Sequence, residues 1–273
     1  MIFGPTMPRT PMTATAIVSL TTDFGLDDPF VGIMKGVILS RDPSIPIIDL
    51  SHGVPPGAVG IGGLWLGLSC RWLPAGTVHA AVVDPGVGTE RGLLCLRGGD
   101  QTFLVPDNGL AAEICRHREI DEIYQVDWRA HVGEPPSRTF HGRDVFAPIA
   151  ADLARGALRA DQLGPEISAC GVDSPLPASR PSARGVDGEI LLADHFGNLM
   201  TNIPARQLPV GDAIRVVAGP SSFGMVGTYD EAPPGQPVGL VNSFGLLEIA
   251  CPGAHAAQVL NLGPGALVRI ENG

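Results

Sequence analysis

Three side chains between residues 84 and 141 have types that can move charge and protons: the carboxylate of Asp84, the guanidinium of Arg91 and the imidazole of His141. Asp84 and Arg91 share one stretch, VVDPGVGTERG, and His141 lies in SRTFHGRD. Arginine stays protonated and can only stabilise negative charge, a carboxylate can orient it, and histidine can donate or accept near neutral pH. A second set of polar residues stands in Asp23 of TTDFGLDD, Asp194 and Asn198 of ADHFGNLMTNI, and Ser243 of VNSFGLLEIA.

Each of these has a plainer reading. Asp23 before Phe24–Gly25, and Asp84 before Pro85–Gly86, are good turn formers in their own right. The glycine-rich GVGTERG lacks the lysine of a phosphate loop and the spacing of a dinucleotide fingerprint, so it does not read as a phosphate cradle. Asp27–Asp28 stands where a helix N-terminal cap is expected. His52, His79, His117, His131, His195 and His255 have no i,i+4 partner, so no metal-binding histidine pair on a helix is expected. From these residues alone the chain is a small-molecule enzyme of α/β type with a carboxylate, an arginine and a histidine available.

The elements that must carry them follow from periodicity. Apolar β-branched runs at AIVSLTTDF, IPIIDL and TVHAAVVD predict strands, and PFVGIMKGVILS, PPGAVGIGGLWLGLSC and DVFAPIAADLAR predict helices between and after them. Two further strands, RGLLCLRG and QTFLVPD, should meet at a turn of Gly98, Gly99 and Asp100. Strands alternating with helices imply a parallel or mixed sheet covered on both faces, with ligands bound beyond the strands' carboxyl ends. Asp23 and Asp84 fall there. A proline-rich stretch without periodicity spans 173–185 and reads as a linker. Beyond it the helices disappear: short apolar strands between turns indicate a small barrel or sandwich. The expected organisation is a loose tail at 1–15, an α/β domain at 16–172, the linker, and a β domain at 186–273.

Composition narrows the partners. The net charge of −10, with no run of Lys or Arg, argues against nucleic acid. No apolar run reaches the ~20 residues of a membrane span, and the first dozen residues lack a signal peptide's apolar core. Five cysteines with no paired spacing read as reduced thiols, so a cytoplasmic location is expected.

Taken together, TDFGLDDPFVGIMKG, DPGVGTERG, PDNGL, RTFHGRDVFAPIAA, DHFGNLMTNI and NSFGLLEIA resemble, in order, the S-adenosyl-L-methionine hydroxide adenosyltransferases, relatives of the nucleophilic fluorinase and chlorinase. The resemblance implies an α/β domain followed by a β-barrel domain. It implies a homotrimer with active sites between one subunit's N-terminal domain and a neighbour's C-terminal domain. The implied activity is hydrolysis of S-adenosyl-L-methionine to adenosine and methionine, by attack of water or hydroxide on the ribose 5′ carbon, with no cofactor and no metal. It implies a catalytic triad of Asp84, Arg91 and His141, with Asp23 on the ribose hydroxyls; the charge-annihilating reaction would in turn favour a dry pocket lined by Phe140 and Phe196. Asp194 would take the methionine ammonium, Phe196 and Asn198 would lie against adenine, and Ser243 would bind the methionine carboxylate. Gly142 stands where the halogenases carry a halide-binding serine, their inserted loop is missing between Arg91 and PDNG, and Phe244 replaces their arginine. These departures favour water over halide. Alternatives are a halide-using adenosyltransferase, an adenosine- or S-adenosylmethionine-binding protein without turnover, and a metal-dependent hydrolase built on Asp23, Asp27, Asp28 and His141.

Overall fold

The computed structural model describes residues 16–133, 136–209 and 214–272. The expected tail at 1–15 lies outside them. The chain divides into two compact units, at Ser174/Pro175.

The first unit runs β1 (Val18–Thr22), α1 (Phe30–Arg41), β2 (Ile47–Ser51), α2 (Val59–Ser69), β3 (Val78–Val82), β4 (Leu93–Gly98), β5 (Gln101–Pro106), α3 (Leu110–His117), β6 (Glu122–Gln125) and α4 (Ala147–Ala154). Its six strands form one mixed sheet in the order β2-β1-β3-β5-β4-β6. β1, β2, β3 and β5 run parallel, while β4 is antiparallel to both β5 and β6. That reversal places the start of β4 at the same end of the sheet as the finish of β3. Arg91, just before β4, and Asp84, just after β3, are thereby delivered to one edge.

β1 and β3 are buried along their whole length, as strands covered on both faces must be. Val18, Leu20, Val78, Ala80 and Val82 pack in one core with Met34 and Ile38 of α1 and Ile149 and Ala150 of α4. On the opposite face, glycines let α2 approach closely. A Cβ at Gly62 would stand 2.8 Å from Val83, and one at Gly63 would stand 2.7 Å from the Glu113 side chain of α3. Two expectations about helix starts fail. α1 begins at Phe30 behind Pro29, with no side-chain cap, so Asp27 and Asp28 do not cap it. α2 begins at Val59, beyond Pro55 and Pro56.

The second unit contains β7 (Arg180–Ser182), β8 (Gly185–Ala193), β9 (Leu199–Pro204), β10 (Ile214–Ala218), β11 (Ser221–Gly224), β12 (Val238–Val241), β13 (Leu246–Ala250), α5 (Ala256–Leu260) and β14 (Leu267–Asn272). The strands follow one another as β11-β10-β14-β8-β9-β13-β12, with β7 on β8, and every strand pairing is antiparallel. A bridge between Met225 and Gly239 brings the two ends together, so the sheet is a nearly closed barrel around Ile190, Leu199, Val216, Leu247 and Ile270. β7 lies within the stretch expected to be linker, and α5 is a helix where none was expected.

Candidate functional site

Asp84, Arg91 and His141 form one hydrogen-bonded chain. Arg91 Nε donates to both Asp84 oxygens, at 3.0 and 2.8 Å, and Nη2 donates to Asp84 Oδ2. Nη2 also lies 3.0 Å from His141 Nδ1. A guanidinium can only donate, so His141 Nδ1 must accept, and the imidazole proton then sits on Nε2. The ion pair is buried, its side chains 3% exposed at Asp84 and 8% at Arg91. Burial, and next the positive charge of Arg91, hold His141 below its ordinary pKa, which favours the neutral ring that this geometry requires.

Local backbone chemistry explains why residues seven apart meet. Val87 N–H bonds to the Asp84 carbonyl and Thr89 N–H to the Gly86 carbonyl, so the loop is wound into two successive tight turns. Between them Gly88 has φ +77°, where an L side chain is strained, and a Cβ there would also run into the Arg138 carbonyl. The glycine thus lets this loop pack on the segment that leads to His141. His141 itself precedes a wide π-type turn, Gly142–Phe146, that runs directly into α4. Such turns recur at functional sites because they re-aim a side chain without ending the helix.

Apolar rings cluster beside the residues that flank His141. Phe140 stands edge-on to Phe24 at 6.0 Å and to Phe30 at 5.4 Å. Phe24 and Phe30 are likewise edge-on, at 6.1 Å. Gly142 lies among them, and an added Cβ would be 3.1 Å from Met34 Sδ, 3.2 Å from Phe140 and 3.3 Å from Phe24. Asp23, at the end of β1, accepts from Gly57 N–H at 2.8 Å through Oδ2. It belongs to the same end of the sheet as Asp84.

In the second unit, Asp194 Oδ1 accepts from the N–H groups of Phe196 and Asn198, both at 2.9 Å, and Oδ2 is 3.5 Å from the Asn198 amide. The carboxylate therefore shapes its own turn, with Oδ2 the less engaged oxygen. Phe196 is 73% exposed beside the turn. It lines an open cleft of about 630 Å³ with His195, Asn198, Tyr229 and His255. Ser243 sits in a turn built by Asn242, whose Oδ1 accepts from Phe244 N–H at 3.0 Å and Leu246 N–H at 3.1 Å.

Sequence reasoning passed over the residues beneath that turn. Glu248 is buried, and it accepts from Tyr229 OH at 2.8 Å and from Asn242 Nδ2 at 3.3 Å. Burial raises the Glu248 carboxyl and pushes the Tyr229 phenol up to about 12. Glu248 was readable in NSFGLLEIA as a charge on an otherwise apolar strand. His117 Nε2 lies 2.9 Å from Glu113 Oε1, four residues earlier on α3, a contact that makes no metal-binding histidine pair. Among the described residues no three His, Cys, Asp or Glu side chains are grouped to hold a metal, and no helix is long and apolar enough to cross a membrane.

Comparison with known proteins adds to this geometry. Residues 18–164 match the model of the SAM hydroxide adenosyltransferase N-terminal domain, and residues 188–269 match that of the C-terminal domain. A protein of Salinispora tropica named (R)-S-adenosyl-L-methionine hydrolase is 41% identical, over 96% of this chain and 100% of its own length. A protein of that name from Thermus thermophilus is 36% identical over 93% of this chain and 98% of its own. A fluorinase of Actinoplanes is 28% identical over 95% of this chain and 99% of its own. Among solved structures, an uncharacterised conserved protein of Thermotoga maritima aligns with a TM-score of 0.86 at 32% identity, covering 94% of this chain and 100% of that one.

Proposed function

The chain belongs to the S-adenosyl-L-methionine hydroxide adenosyltransferase family, and we propose from that membership and its own site chemistry how it hydrolyses S-adenosyl-L-methionine to adenosine and L-methionine. It is an enzyme whose relatives carry the R configuration at sulfur in their names, and that epimer is the proposed substrate.

A sulfonium leaves as a neutral thioether and needs no acid. The task is to supply oxygen in line behind the ribose 5′ carbon, and water is a poor nucleophile with a bulk pKa of about 15.7. The observation that carries our reading is the order of the hydrogen bonds. Arg91 spends Nε on Asp84 and both Nη2 hydrogens on Asp84 and His141, while Nη1 faces the Gly92 carbonyl at 3.5 Å. Asp84 thus orients Arg91, and Arg91 fixes the tautomer of His141. His141 Nε2–H becomes the donor offered to the attacking oxygen. With Nδ1 engaged, His141 acts by stabilising hydroxide character, as an oxyanion donor does, rather than by taking the proton. The proton goes to solvent. Hydroxide and sulfonium annihilate charge as they react, so the apolar rings of Phe24, Phe30 and Phe140 favour the transition state over separated ions.

Asp23 is proposed to hold the two ribose hydroxyls, Asp194 the substrate ammonium, Phe196 and Asn198 the adenine, and Ser243 the methionine carboxylate. No metal or cofactor enters this chemistry, and a homotrimer is the proposed assembly. Turnover of each sulfur epimer in ¹⁸O water, without halide, tests the reading. The expected product is adenosine carrying label at its 5′ oxygen. Unlabelled adenosine, or a 5′-halogenated nucleoside once chloride is added, overturns it.

A further inference from the structure

One hydrogen-bonded chain in the first unit takes no part in the chemistry above, yet ends on the loop that carries Asp23. At the surface, Lys35 Nζ donates to Asp49 Oδ2 at 2.6 Å. Asp49 Oδ1 lies 3.0 Å from His52 Nε2, and His52 Nδ1 lies 2.8 Å from Thr22 Oγ1. Thr22 Oγ1 in turn accepts the Phe24 N–H at 3.2 Å.

Hydroxyl, imidazole and carboxylate in a row suggest an activated nucleophile. Burial excludes that here, because Thr22 is 0% exposed and no substrate reaches it. The ring and the hydroxyl instead form one continuous chain: His52 Nε2 faces the Asp49 carboxylate, Nδ1 faces the Thr22 hydroxyl, and the hydroxyl oxygen receives Phe24 N–H. The His52 side chain is 2% exposed, so each of these bonds would leave an unsatisfied buried group if broken.

The backbone of the same segment holds the same loop. The His52 carbonyl accepts Gly25 N–H at 2.9 Å, and Gly57 N–H donates to Asp23 Oδ2 at 2.8 Å. Residues 52–57 therefore grip Thr22, Asp23 and Gly25 at three separate points, and Asp23 stands in the middle.

We propose that His52 is a positioning residue that, through Thr22 and the Phe24 N–H, sets the orientation in which Asp23 meets a vicinal diol. The inference rests on the reading of Asp23 as the ribose-binding carboxylate. Its consequence is selective. Loosening the loop should weaken ligands that carry both ribose hydroxyls and spare ligands that lack them.

Calorimetric binding of adenosine and of 2′,3′-dideoxyadenosine to the intact protein tests this, with His52→Gln, Thr22→Val and Thr22→Ser as variants. Thr22→Val is isosteric and β-branched, so β1 should persist even if His52→Gln folds poorly. In both His52→Gln and Thr22→Val the preference for adenosine should fall about tenfold, the scale of one weakened charge-assisted hydrogen bond. Thr22→Ser, which restores the hydroxyl, should keep it. Equal weakening of both nucleosides, or an undiminished preference, overturns the inference. A wild-type protein indifferent to the two hydroxyls would sink the assignment of Asp23 and the inference together. Discrimination by wild type and variants alike would sink the inference alone.

Discussion

Arg91 Nη2 and His141 Nδ1 meet at 3.0 Å, and this single contact decides which face of the imidazole is a donor. A second proton on His141 would have to displace the guanidinium from Nδ1 and set two cations side by side. Burial and Arg91 both keep the pKa below its ordinary 6.5.

The pH dependence of kcat/KM should therefore show an acid limb below 6.5, with activity carried by the neutral ring and lost as pH falls. Arg91→Met removes the neighbouring charge, so His141 should titrate at higher pH in that variant. The ring-proton NMR titration reads this directly, even where turnover is abolished. A limb that rises toward acid pH would reverse the proposed role of His141.

Removing one partner of the Asp84–Arg91 pair should cost both stability and rate. The side chains are almost fully buried, so Asp84→Ala strands a cation and should destabilise the fold by about 3–5 kcal/mol in urea unfolding. Turnover should fall by roughly 10²–10³, since Arg91 no longer holds His141 in place. The double variant Asp84→Leu, Arg91→Met should regain much of the stability and none of the turnover. Recovery of turnover in that double variant would show that the pair is merely structural.

The sheet and the long apolar helices were legible because their periods differ and their ends are marked by Gly, Pro and Asp. What escaped was short or amphipathic: α3 over Leu110–His117, the small strands β6, β7 and β11, and the one-turn α5. These owe their form to partners rather than to their own pattern. β7, for example, exists only as an addition to β8. Within the site, the approach of Asp84 to Arg91 was foreshadowed by Pro85, Gly86 and Gly88, which favour turns. His141 is fifty residues further on, and only the family resemblance joined it to them. Likewise no local signal couples Thr22 to His52, which the pairing of β1 with β2 brings together, or Glu248 of β13 to Tyr229, which lies in a short helical turn outside any strand.

His79 makes stability, as distinct from activity, depend on pH. It is fully buried, stacks on Phe103 at 4.7 Å, and has Nδ1 2.6 Å from Ser19 Oγ. Burial pushes its pKa down to about 4 from an ordinary 6.5. In that interval the unfolded chain takes up a proton that the folded chain refuses. The contribution is complete above 6.5 and shrinks as pH falls, by about 3 kcal/mol once pH reaches the folded value. Urea unfolding across the interval should show this slope in the wild type. His79→Phe should flatten it, whatever its cost at neutral pH from leaving Ser19 unpaired. An unchanged slope in the variant would assign the acid sensitivity to another group.

Gly142 offers the sharpest test of which nucleophile the site admits. Its missing side chain leaves room that Met34, Phe24 and Phe140 already close to 3.1–3.3 Å. The methionine can yield, but two aromatic rings held edge-on to each other and to Phe30 yield less readily. Gly142→Ser should therefore lower stability by about 1–3 kcal/mol through overpacking and displace the Phe140–His141 segment. Turnover with water should drop in consequence. Added chloride should give no 5′-chlorinated product in the variant, because a hydroxyl forced into an apolar cage supplies a donor without a cavity for the anion. If Gly142→Ser keeps wild-type stability and makes a halogenated nucleoside, the cage is looser than its distances imply, and exclusion of halide must lie elsewhere in the site.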